Sequence, residues 1–250
     1  EVLAGVRDSF ILERNPNSPK PGLNLHNPGL FPSGSPYVFL NLDHAKDMSS
    51  IKRALEAGFD MVHFDGSELP LEENIAKTKE IVELAKNYGA LVEGEIDRAG
   101  GHSTVKNEEG QSVLTNPEKA AEFISKTGVD ILACFFGNLH GVYSKELELD
   151  FSHFQKIKKF IRSACPERSR RVFFSLHGGS GVKASDLSQA AKNGIVKINF
   201  NTELRQTWAN SLRESLAADP EQIVPYKVLT PVVSAVQEVV EGKLSLLKPE

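Results

Sequence analysis

Residues 38–65 read VFLNLDHAKDMSSIKRALEAGFDMVHFD, and the architecture follows from this run. An apolar segment ends in Asp43-His44; Asp47 then stands where a helix N-cap belongs, and Gly58 where a helix stops. Asp supplies an acceptor for the open N–H groups of a first turn, and Gly accepts the left-handed backbone that closes a last turn. A second apolar segment follows and ends in Asp65. Strand, helix and strand without a hairpin turn imply parallel pairing through a right-handed crossover.

The same grammar continues along the chain. Strands are predicted at 38–43, 60–65, 90–96, 129–136, 172–176 and 195–200. Asn116-Pro117 opens a helix that Gly128 closes; Gly89 closes a long helix from about 71, and Gly194 closes one that starts near Ser185. From Thr202 onward the chain is predicted helical, with a break between Pro220 and Pro225. Residues 15–36 are rich in Pro, Asn, Gly and Ser, so residues 1–36 are read as an irregular Pro-rich arm ahead of a β/α-barrel domain over 37–250.

Composition narrows the partners. With 250 residues the chain suits one barrel-type domain. A net charge of −4 argues against a nucleic-acid partner, which usually meets a basic face. No apolar run approaches the roughly 20 residues that span a bilayer, so no membrane partner is expected. Residues 1–10 lack the basic head and apolar core of a secretory signal. Cys134 and Cys165 are the only cysteines, which fits a reducing, cytoplasmic setting rather than a disulfide framework.

The polar residues sit where such folds do their chemistry, at the C-terminal strand ends. Asp43-His44 ends the first strand, Asp65 the second, and Glu93 and Glu95 lie on one face of the third. His140 follows the fourth strand, His177 the fifth, and Asn199 and Asn201 end the sixth. Singly, each has an ordinary explanation as a loop residue, a cap or a paired charge. Placed together at successive strand ends, three histidines and several carboxylates describe a metal site with an exchangeable position, as in catalytic zinc centres. His63, His102, His153 and His26 show no such convergence. His177-Gly178-Gly179-Ser180-Gly181 and Asn199-Phe200-Asn201-Thr202 are adjacent strand-to-helix turns whose amides can hold a phosphate.

These residues also resemble a known family, the class II fructose- and tagatose-bisphosphate aldolases. The similar stretches are LDH (42–44), DGSELPLEENI (65–75), VEGEIDRAGG (92–101), LTNPEKAAEFISKTGVDILA (114–133), GNLHGVY (137–143), SLHGGSG (175–181) and KINFNTELR (197–205). The resemblance implies a TIM-type (β/α)8 barrel and aldol cleavage of a ketose 1,6-bisphosphate to dihydroxyacetone phosphate and an aldehyde such as glyceraldehyde 3-phosphate. By the same resemblance His44, His140 and His177 hold Zn2+, with Asp65 and Glu95 as ligands of an alternative metal position. Asp43 moves the proton of the substrate C4 hydroxyl, and Asn199 steadies the enediolate. Gly141, Gly178, Gly179, Ser180, Asn201 and Thr202 bind phosphate, with a monovalent cation (Na+ or K+) near Gly141 and Gly178. Relatives are homo-oligomers, dimers or tetramers, and the same is expected here.

Three departures from the family pattern stand out. The usual first two strands are missing. The loop after Gly100-Gly101 reads His102-Ser103-Thr104 where an acid is usual, with Glu108-Glu109 as the next acids. Pro231-Val232-Val233 replaces the basic residue for the far phosphate, although Lys227 and Arg205 are near in sequence. They leave one alternative, a relative that binds metal and phosphate without turnover. A Schiff-base aldolase using Lys197 is a further rival.

Overall fold

A computed structural model describes residues 39–97, 114–139, 147–169 and 172–247. The arm at 1–36, the loop after Gly100-Gly101, and His140 with Gly141 lie outside the described residues. Six parallel strands follow one another in chain order: β1 (Asn41–Ala45), β2 (Met61–Asp65), β3 (Leu91–Glu95), β4 (Ile131–Ala133), β5 (Phe173–Leu176) and β6 (Ile195–Ile198). Between and after them lie α1 (Met48–Glu56), α2 (Leu71–Lys86), α3 (Pro117–Thr127), α4 (Phe151–Ala164), the short α5 (Pro166–Ser169), α6 (Ala184–Lys192), α7 (Thr202–Ala218) and α8 (Pro225–Leu247). This is the predicted α/β alternation, strand for strand.

Local chemistry explains the boundaries. Asp47 caps α1 by accepting from the Ser50 N–H at 2.8 Å. Asn116 caps α3 by accepting from the N–H groups of Glu118 and Lys119 at 2.9 and 3.0 Å, with Pro117 in the first turn. Gly128 ends that helix at φ 75°, a conformation that favours glycine. β4 is shorter than expected. The Asn138 side chain takes the Phe136 N–H at 2.8 Å, and the Asp150 N–H bonds the Phe136 carbonyl, so this backbone leaves the ladder.

The described residues divide into two compact units, the first from those within 1–98, 115–133 and 155–173, the second from those within 99–114, 134–154 and 174–250. In the first, Met61, Leu91, Ile131 and Phe173 form a cluster on β2, β3, β4 and β5. Against the strands, α1 buries Ile51, Ala54 and Leu55, and α3 buries Ala120, Ala121, Phe123 and Ile124. Gly94 on β3 makes this approach possible: a Cβ there would stand 2.7 Å from the Phe123 ring. In the second unit Phe136, Phe151, Phe154 and Phe174 form an aromatic cluster.

Candidate functional site

In the first unit the site begins at an irregularity in β1. Between Leu42 and Ala45 the pairing advances three residues on β1 against two on β2 (Val62 to Phe64), so one extra residue is inserted. His44 sits in this bulge at φ 51°, the one non-glycine positive φ among the described residues. An L-residue there costs roughly 1–2 kcal/mol. Asp43-His44 thus lies within a bulged strand and does not end it, because the strand predicted at 38–43 begins and ends a few residues later.

The bulge turns the His44 ring toward the ends of β2 and β3. Its Nδ1 lies 3.4 Å from Asp65 Oδ2 and 3.8 Å from Glu95 Oε2, and its Nε2 lies 3.9 Å from Asp43 Oδ2. Period-two alternation and the register His63↔Glu93 and Asp65↔Glu95 bring two residues of β2 and two of β3 to the same face. His63, which showed no convergence in the sequence, is therefore part of the site. It is fully buried, with Nε2 3.3 Å from Glu95 Oε2 and Nδ1 3.5 Å from Asp43 Oδ1. Its ring meets the His44 ring edge-on, with centroids 4.6 Å apart. The sequence signal that could have found it is its position two residues before Asp65 on one strand.

The electrostatics are those of a carboxylate-rich pocket. Burial alone would lower the His63 pKa, but Glu93, Asp43 and Glu95 outweigh it and push the ring up to about 10. Burial raises the Glu95 carboxyl, against the pull of His63. Burial also works against the Asp65 carboxylate, yet the bonds from His44 and Ser67 prevail and hold it well below the usual range; the Ser67 hydroxyl donates to Asp65 Oδ1 at 2.6 Å. The His44 backbone N–H donates to His63 Nδ1 at 3.1 Å, which requires the Nε2–H tautomer. A doubly protonated ring would have to give that bond up. A dication held among these carboxylates would remove the reason for a charged ring and leave the Nε2–H tautomer that the bond requires.

Four carboxylates face two imidazoles and the exposed Lys46, which leaves an excess of negative charge under burial. His44, Asp65 and Glu95 offer ligand atoms within 4.8 Å of one another, and so do Asp43, His44 and His63. Imidazole nitrogen with carboxylate oxygen is a donor set that fits a divalent ion such as zinc.

Asn74 holds the end of β3 in place. It is buried, donates from Nδ2 to the Glu95 carbonyl at 2.8 Å, and accepts from the Thr78 hydroxyl at 2.9 Å. Gly66 leaves it room, since a Cβ there would lie 2.2 Å from Asn74 Oδ1. Asn74→Leu should lower stability by about 1–3 kcal/mol, because it leaves a buried carbonyl without its donor. The midpoint of urea unfolding checks this, and an unchanged midpoint would show that the carbonyl finds another donor.

The second unit carries the remaining candidates. His177, at the end of β5, is fully buried, and its carbonyl accepts from Asn138 Nδ2 at 3.0 Å. Asn199 Nδ2 lies 3.4 Å from both ring nitrogens of His177. The Asn199 N–H donates to the Leu176 carbonyl, and the Asn199 carbonyl accepts from the Gly179 N–H, so the two turns are stitched together. Gly178 has φ 68°, and a Cβ at Gly179 would come within 2.7 Å of Ile198. Ser180 and Thr202 are buried and Asn201 is exposed at the start of α7, where Ser180 Oγ accepts from the Glu203 N–H at 3.3 Å. Two turns and a helix N-terminus are the kind of arrangement that can frame an anion. Lys197 is half-buried on β6.

The chain was compared with known proteins. The family model described as fructose-bisphosphate aldolase class-II matches residues 30–250. The fructose-bisphosphate aldolase of Staphylococcus aureus is 36% identical over 207 residues, covering 83% of this chain and 69% of that protein. The D-tagatose-1,6-bisphosphate aldolase subunit GatY of Klebsiella oxytoca is 36% identical over 204 residues, covering 80% and 68%. Among solved structures, the YdjI aldolase from Escherichia coli K12 superposes with a TM-score of 0.63 at 31% identity, covering 84% of this chain and 68% of that one. The fructose-bisphosphate aldolase of Campylobacter jejuni shares the fold, with a TM-score of 0.67 at 23% identity over 84% and 70% of the two chains. With the strand order, the residues at the strand ends and these relatives in agreement, the chain belongs to the class II fructose-bisphosphate aldolase family, a family of carbon–carbon lyases on a TIM-type α/β fold.

Proposed function

We propose that this chain catalyses zinc-dependent aldol cleavage and condensation of a ketose 1,6-bisphosphate, yielding dihydroxyacetone phosphate and an aldehyde such as glyceraldehyde 3-phosphate. The observation that carries the proposal is the convergence of His44, Asp65 and Glu95 beside Asp43 at the ends of three parallel strands. His44, His140 and His177 would hold Zn2+, with Asp65 and Glu95 as ligands of an alternative position. A bound zinc ion supplies Lewis-acid stabilisation of negative charge on substrate oxygen.

The chain's own residues do the rest. Asp43, half exposed and facing His44, takes the C4 hydroxyl proton as the C3–C4 bond breaks and returns it on condensation. Asn199 donates to the oxygen that gains charge. Gly178, Gly179, Ser180, Asn201 and Thr202, with Gly141, hold a phosphate, and a Na+ or K+ ion beside Gly141 and Gly178 completes that subsite. Residues 37–250 form the catalytic domain. Neither Cys134 nor Cys165 is in a disulfide, in keeping with a cytoplasmic enzyme. No helix among the described residues is long and apolar enough to cross a membrane. Exposed Trp208 and Leu216 on α7, and Val233 and Leu244 on α8, favour a homo-oligomer.

Stripping the protein with a chelator should abolish cleavage of fructose and tagatose 1,6-bisphosphates, and added zinc should restore it. A coupled assay for dihydroxyacetone phosphate follows both sugars. Cleavage that survives metal removal, or none after zinc is restored, would reject the proposal.

A further inference from the structure

His63 lies outside the family roles already assigned, yet it is as fully enclosed as Glu93 beside it. It is fully buried on β2 and touches three of the groups discussed above. Its Nδ1 accepts the His44 backbone N–H at 3.1 Å, and its Nε2 lies 3.3 Å from Glu95 Oε2. The first contact requires a bare Nδ1, so the proton sits on Nε2, the nitrogen packed against the Glu95 carboxylate but out of line for a hydrogen bond to it. The residue it grips from above is the only non-glycine residue with positive φ among those described, in a bulge whose extra residue takes His44 out of the regular ladder. A bulged N–H has no strand partner of its own, so a side-chain acceptor fixed in the core can define the bulge.

We infer that His63 is a positioning residue that fixes the His44 bulge and the Glu95 carboxylate together, so that both face a divalent cation before it binds. The inference rests on the reading of His44 as a metal ligand. The imidazole is a rigid spacer: one nitrogen holds backbone on β1 by a hydrogen bond, and the other stands 3.3 Å from a carboxylate oxygen on β3 and limits where it can turn. Neither a purely apolar side chain nor a shorter polar one can do both. Residues that orient metal ligands typically contribute 10–100-fold to metal affinity.

The test uses the metal-free chain and Co2+ as the probe, read by its visible absorption and by competition with a chelating dye, without reference to turnover. His63→Leu removes both contacts. His63→Asn keeps an acceptor at the position of Nδ1, whereas His63→Gln carries its amide out toward Nε2. His44→Ala is the control for the ligand assignment. His63→Leu should weaken Co2+ binding by roughly 10–100-fold, with the parent absorption shape kept. His63→Asn should recover most of that loss, and His63→Gln should recover less.

Equal affinity in all three variants would overturn the inference and leave His63 a packing residue. A changed absorption spectrum in all three, with no rescue by Asn, would also overturn it by making His63 a ligand itself. Should the Leu variant fail to fold, the order of Asn over Gln still supports the inference, and equality or the reverse order overturns it. If His44→Ala loses Co2+ while the His63 variants do not, only this inference falls. If His44→Ala binds as the parent does, the ligand reading falls and takes the inference with it.

Discussion

Asp43→Asn should lower kcat by roughly 10²–10⁴-fold, the range that a positioned proton-transfer group contributes. The substitution keeps the shape of the side chain and removes its basicity. Asp43 is 46% exposed at its side chain, so it is open to a substrate hydroxyl, and it lies beside His44, whose Nε2 is 3.9 Å from Oδ2. An amide can still occupy that place, but it cannot take a proton from the C4 oxygen. The loss should therefore fall on kcat, with KM and the zinc content of the purified protein little changed. Steady-state kinetics with fructose 1,6-bisphosphate, together with metal analysis, separates the effects. If kcat is retained within a few-fold, some other group carries the proton. If zinc is lost in parallel, Asp43 belongs to the metal's support and not to the proton's path.

The largest effect on stability should come from Phe154→Ala. Phe154 is fully buried, stacks on Phe136 with centroids 4.7 Å apart and an interplanar angle of 18°, and meets Phe174 edge-on at 5.4 Å. Removing a buried aromatic ring costs about 3–5 kcal/mol, because the cavity it leaves relaxes only in part. For a chain of this size that corresponds to a fall in thermal midpoint of roughly 6–20 °C. Differential scanning calorimetry or the circular dichroism melt reads it. Phe154→Leu should lose much less, since a branched aliphatic fills most of the space. A drop of a degree or two for the Ala variant would show that the neighbouring rings collapse into the gap.

Much of this protein is legible without coordinates, wherever the determinant is local. Asn116-Pro117 and Gly128 mark α3 because an acceptor side chain, a fixed φ and a missing Cβ act on the backbone within a turn. The apolar runs place all six strands; Asp65 and Glu95 are the last residues of β2 and β3, and His177 is the first residue after β5. The strand at 129–136 is less legible: its apolar run continues through Phe136, but the Asn138 side chain withdraws that backbone from the ladder. Hydrophobicity records burial there and says nothing about which group takes the N–H.

The sequence by itself determined the alternation of strands and helices, the strand ends at which chemistry gathers, and the family to which those ends belong. Only the tertiary structure decided the place of His63 beside Glu95 and the conformation of His44. A histidine two residues before Asp65 shares its face on any extended strand. Whether that face meets Glu93 and Glu95 depends on the β2–β3 register, and whether β1 bulges depends on the pairing between Leu42 and Ala45. Both are set by long-range packing, where a one-residue slip would turn every side chain to the opposite face.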